Sequence, residues 1–212
     1  MKRIIMTIAV CTALCATANT WAQKTVKLFN GKDLKNWNFV VKDNAVSPEH
    51  VFFIEKGMIH ITGEPFGYMY TKEKYADYKL HVEWSWIDKP VNSGIFLLIS
   101  DTKSPFPDCI ECQLKAGDAG SFVLIGDSEL KEVSFSPNVP RPKFPVRMRQ
   151  SASSEKPTGE WNEANIFVKN GVITVYINGV YQNTGTSAVK EGNIALQSEG
   201  GNLLFRNVYL TK

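Results

Sequence analysis

From Tyr78 to Trp86 the chain alternates without a break: Tyr78, Leu80, Val82, Trp84 and Trp86 are apolar, while Lys79, His81, Glu83 and Ser85 fall between them. Such a period of two is the mark of a strand with one face in a core. The run Tyr78–Ile87 is thus a candidate strand, and similar short runs recur at Val51–Ile54, Met58–Thr62, Gly94–Ile99, Ile110–Leu114, Phe122–Ile125, Ala164–Lys169, Val172–Ile177, Gly192–Gln197 and Leu203–Leu210. Val, Ile, Phe, Tyr and Trp fill them, and Gly, Pro, Asn and Asp divide them. Asn170-Gly171 and Asn178-Gly179 sit where hairpin turns need positive φ. No segment of helical length is amphipathic, so the pattern predicts an all-β fold, an antiparallel jelly-roll sandwich.

Two stretches depart from this pattern. Residues 126–160 hold Pro137, Pro140, Pro142, Pro145 and Pro157, a density that no central strand tolerates. They predict either a long excursion at the rim of a site or plain irregular surface. At the other extreme, Lys2 and Arg3 precede an apolar run from Ile4 to Ala18, and Thr20-Trp21-Ala22 ends it. That arrangement predicts a secretory signal peptide over 1–22 and one mature domain over 23–212, exported to the periplasm or the cell exterior. The run is short for a membrane span. Cys11 and Cys15 lack the small residue before them that a lipid anchor wants.

Loss of the leader removes two basic residues and no acid, so the formal charge falls from +3 to +1. A surface so nearly neutral gives no electrostatic case for nucleic acid or an anionic membrane. Cys109 and Cys112 remain, on opposite faces by strand parity, and the three histidines supply no second metal-binding pair. Structural packing is the simpler reading of this C-x-x-C.

Parity also sorts the polar residues. Ile110, Cys112 and Leu114 face one way, and Glu111, Gln113 and Lys115 the other. Gln197 and Glu199 oppose Ile194 and Leu196, and Leu98 is expected to share a face with Phe96, making any site there more apolar. Three strands therefore offer a carboxylate on a face away from the core: Glu83, Glu111 and Glu199. Solvated outer faces would look the same, but carboxylates and amides among aromatics suit a surface for sugar hydroxyls. If the three serve one site, they must converge within the span of one sugar ring. There is no G-x-S-x-G elbow. An E-x-D-x-x-E glycosidase motif set on Glu111 would find Gln113 and Ala116 where acids are needed.

Leu28-Phe29-Asn30-Gly31-Lys32-Asp33-Leu34 with Trp37 resembles the opening of the bacterial domain of unknown function 1080 family. Its members are described as 3-keto-disaccharide hydrolases or 3-keto-glucoside-1,2-lyases. Asn92-Ser93-Gly94-Ile95-Phe96, Glu111-x-Gln113-Leu114, Gly159-Glu160-Trp161-Asn162, Ile177-Asn178-Gly179 and Gln197-Ser198-Glu199-Gly200-Gly201 extend the likeness over most of the chain. The resemblance implies a concanavalin A-like lectin/glucanase fold and a carbohydrate substrate bearing a 3-keto sugar. Such a sugar needs a base at C2, an acid for the leaving group and a group that stabilises the enolate. Glu83, Glu111, Glu199 and His81 are the expected proton-transfer groups, and Asn92, Gln113, Lys115, Gln197 and Arg206 the substrate-binding ones. Arg206 or a bound divalent cation would hold the enolate, no metal ligand being assigned. The alternatives are a non-catalytic carbohydrate-binding module on the same face and an accessory subunit of a larger glycan-processing system.

Overall fold

A computed structural model describes residues 24–102 and 104–212; the expected leader, residues 1–22, lies outside them. Sixteen strands are present among the described residues: β1 (Thr25–Lys27), β2 (Trp37–Val41), β3 (Phe52–Glu55), β4 (Met58–Ile61), β5 (Gly67–Thr71), β6 (Tyr75–Ala76), β7 (Tyr78–Trp86) and β8 (Gly94–Ile99) make the first half. The second half is β9 (Cys109–Gln113), β10 (Phe122–Ile125), β11 (Val146–Arg147), β12 (Asn162–Lys169), β13 (Val172–Ile177), β14 (Val180–Thr186), β15 (Glu191–Ser198) and β16 (Leu203–Thr211). They build two antiparallel sheets. One runs β14-β13-β12-β7-β16-β4-β3, with β1 beside β16; the other runs β11-β10-β9-β8-β15-β5-β2, with β6 beside β15. The all-β sandwich read from the sequence is the observed architecture.

The alternating strands meet between the sheets. Leu80, Val82 and Trp84 of β7 and Phe205 of β16 pack in one core with Ile95 of β8, Ile110 and Cys112 of β9 and Leu196 of β15. Phe205→Ala should cost about 3–5 kcal/mol, since this ring is wholly buried and its loss leaves a cavity; the denaturant midpoint measures it. Local turns follow their chemistry. Asn170-Gly171 and Asn178-Gly179 both take positive φ and close the hairpins β12–β13 and β13–β14. In the opening motif, Asn30 Oδ1 accepts from the amides of Lys32 and Asp33, and the Trp37 indole donates to the Leu28 carbonyl.

A second apolar layer covers the outer face of the β11–β2 sheet, with Tyr68, Phe96, Cys109, Val123, Ile125 and Ala195 all buried. The excursion 126–160 supplies part of its cover. It adds β11 beside β10 and straps itself to β14, where Asn183 donates to the carbonyls of Arg147 and Met148. Leu98 corrects its expected direction. Asn193 pairs with Ile99 and Ala195 with Phe96, so β8 carries an extra residue there. Leu98 takes φ of 54° at this bulge and turns into the inter-sheet core beside Leu97, away from Phe96.

Candidate active site

The outer face of the β11–β2 sheet opens at one end into a cleft of about 160 Å³. Three pieces of chain make its polar side. β9 supplies Glu111 and Gln113, the end of β15 supplies Gln197 and Glu199, and the turn into β8 supplies Asn92. The sequence around each is fitted to this meeting. The backbone of Asn92 bridges to Glu199 and Gly200, and Ser93 Oγ donates to the Gln197 carbonyl at 2.9 Å. Gly94 lies under the Glu111 side chain, where a Cβ would stand 2.8 Å from Cδ of that carboxyl. N-S-G therefore sets an amide in the cleft, ties it to β15 and clears room for the acid.

Glu111 is 3 % exposed. Its Oε1 and the Oε1 of Gln197 have no hydrogen-bond partner. Buried acceptors left unpaired are uncommon, and two in one cleft mark a place prepared for a ligand's hydroxyls. Burial, and then the neighbouring Glu199 charge, push the Glu111 carboxyl well above its ordinary value. Burial also raises Glu199, against an opposing hydrogen bond from Gln197. Gln113 donates to Asn92 Oδ1 at 3.4 Å, a loose contact that a substrate hydroxyl can replace.

The expected convergence of three carboxylates fails: Glu111 and Glu199 line this cleft, and Glu83 does not. Glu83 stands on β7, in the other sheet, and points to that sheet's outer face. Arg206 donates to it at 2.6 Å and Asn207 at 2.7 Å, with His81 at 3.4 Å. Burial works to raise the Glu83 carboxyl, but these donors outweigh it and hold it below the ordinary value. Arg206 is further occupied by the Trp161 ring, 3.8 Å from its guanidinium carbon, and His81 bonds Asn165 and stacks on Tyr209. Parity found the outward faces but could not say which sheet each strand joins. Glu83→Gln should thus cost roughly 1 kcal/mol of stability from the partly exposed Arg206 pair; denaturation measurements check this. Lys115 also lies outside the cleft, pairing with Asp118 at 3.3 Å.

Sequence reading missed the apolar side of the cleft: Phe106, Val123, Ile125, Phe144 and Val146. The signal was present in Pro105-Phe106-Pro107 and Phe144-Pro145, aromatics held in stiff, irregular chain. Cys109 and Cys112 are both free and buried. Among the described residues no three His, Cys, Asp or Glu side chains gather to hold a metal ion. A larger hollow of about 500 Å³ lies over Lys79, Phe167 and Tyr176 on the other sheet, but none of the unpartnered buried polar atoms lines it.

A 3-keto-disaccharide hydrolase of Bacteroides thetaiotaomicron is 29 % identical over 167 residues, which cover 70 % of this chain and 53 % of the relative. This chain thus spans about half the length of that curated relative. Among solved structures, a proposed glycosyl hydrolase from Parabacteroides distasonis superposes with a TM-score of 0.63 at 19 % identity, covering 88 % of this chain and 98 % of its own. The β-glucanase of Bacillus licheniformis gives 0.55 at 13 % identity, covering 91 % and 98 %. These two establish likeness of fold. Residues 24–211 match the profile described as a 3-keto-alpha-glucoside-1,2-lyase-like domain, and the chain belongs to that family.

Proposed function

We propose that this chain is an exported enzyme that cleaves 3-keto-glucosides, with Glu111 and Glu199 moving the protons. The observation that carries this reading is the buried Glu111 and half-buried Glu199 carboxyls, both raised, beside unpaired amide and carboxyl oxygens in one cleft. Family membership and the Bacteroides thetaiotaomicron relative support the sugar chemistry.

The 3-ketone makes the C2 proton acidic. Glu199, the less buried acid, is the base that removes it, and the electrons enter the C3 carbonyl as an enolate. The amides of Gln113 and Asn92 lie in the same cleft as donors for the enolate and the ring hydroxyls. As the enolate collapses, C1–C2 becomes a double bond and the C1–oxygen bond breaks. Glu111, kept protonated by its burial, gives its proton to the leaving oxygen. Water then adds at C1, losing a proton to Glu111, while Glu199 returns its proton to C2. Both acids are restored and the net change is hydrolysis.

Release of a chromogenic aglycone from a 3-keto-glucoside by the purified chain tests this reading, with Glu111→Gln as the diagnostic variant. Tight binding of the sugar without release would instead make the chain a non-catalytic carbohydrate-binding module.

A further inference from the structure

The cleft is polar on one side and apolar on the other, and the division follows strand order. Crossing the sheet from β15 to β11, the outward residues change from Gln197 to Gln113 and Glu111, then to Val123 and Ile125, and end at Val146. One cross-strand row contains the change. Glu111 stands directly opposite Val123, and Val123 opposite Val146. Strands lie about 4.8 Å apart, so the path from the β15 carboxylate to the β11 edge is roughly 19 Å, long enough for a sugar ring and a further group. Over the apolar half stand Phe106 and Phe144, their centroids 5.4 Å apart, with Lys143 Nζ above both rings. Phe144 and Val146 are 37 % and 48 % exposed, open to a group entering from solvent.

Resting on the keto-glucoside reading, we infer that the aglycone this cleft takes is an aromatic or comparably apolar group and not a second sugar. Glu111 sits at the border between the two halves, leaning over Gly94 toward β15. There its proton reaches the bridging oxygen, with the keto sugar on the amide side and the leaving group on the valine and phenylalanine side. A second sugar placed against Phe144 and Val146, above the buried Val123 and Ile125, would find side chains that offer its hydroxyls no hydrogen bond, a loss that disfavours it relative to an apolar group.

The test compares benzyl, methyl and glucosyl 3-keto-glucosides, whose leaving groups are all alkoxides. For the wild-type chain, kcat/KM should favour benzyl over both methyl and glucosyl by about tenfold or more. In Phe144→Ala combined with Val146→Ser, the benzyl-to-methyl ratio should fall about tenfold, whatever the absolute rates. A wild-type preference for the glucosyl compound, or a ratio that the double variant leaves unmoved, overturns the inference. Should no compound be cleaved, the catalytic reading fails on its own. Calorimetric Kd values for benzyl and methyl 3-keto-glucosides then decide the aglycone question by the same ratios.

Discussion

Glu111→Gln is expected to lower aglycone release from a 3-keto-glucoside by about 10²- to 10⁴-fold, the range a positioned general acid supplies. The amide keeps the size of the carboxyl and its place over Gly94, but it has no proton to give the leaving oxygen. Substrate binding should change far less, so the loss belongs in kcat. Folding should respond in the opposite sense. The carboxyl is pushed well above its ordinary value of 4.5 by burial and by Glu199, so the folded chain holds this proton more tightly than the unfolded one. Below about pH 4.5 both states are protonated and Glu111 carries no penalty; as pH rises past that value the unfolded state alone ionises, and stability drains away. Glutamine has no such titration. The variant should therefore melt at a higher temperature than wild type at neutral pH, and the gap should narrow as pH falls toward 4.5. A slow variant that is also destabilised at neutral pH would mean that Glu111 is a packing residue.

Gly94→Ala is the second large effect. The added methyl would stand 2.8 Å from Cγ and from Cδ of Glu111, closer than such contacts allow, so the acid must swing away from β15. Gly94 lacks the positive φ that would make alanine strained, and its strand pairing opposite Gln113 is retained. The expected loss is about 10²-fold in kcat/KM, the cost of misplacing a reacting group by about 1 Å. Rescue would distinguish this from general damage. Shortening the acid in Gly94→Ala/Glu111→Asp removes one methylene from the crowded spot and should recover part of the rate, although Glu111→Asp alone should be impaired.

Much of this was legible in the chain because period-two patterning is a local property. All ten predicted strand runs form, and Cys112 faces the core with Glu111 and Gln113 opposite, as the parity of β9 requires. What was not legible depends on distant neighbours. Nothing near Glu83 says that β7 joins β12 and β16 while β9 joins β8 and β10, so one acid of three was assigned to the wrong face of the molecule. Leu98 was misdirected for a different reason. Parity fails at a bulge, and the bulge is permitted by Gly192 across the sheet, where a Cβ would lie 2.6 Å from the Leu98 Cα. β14, Val-Tyr-Gln-Asn-Thr-Gly-Thr, was passed over because its buried side chains Gln182 and Asn183 are polar. Their partners come from the excursion 126–160, which no local pattern announces.

The place of β15 and β16 in the two sheets also sets the order of assembly. β15 joins β8 to β5 and β16 joins β7 to β4, so each links strands made more than ninety residues earlier, as in the pairs Phe96–Ala195 and Trp84–Phe205. Neither sheet can close until residues 191–211 are available, and topology of this kind folds slowly, through long loops. The same late segment carries Gln197 and Glu199. A chain that lacks residues 191–211 would thus stay open and without its cleft, and would acquire both together when those two strands arrive.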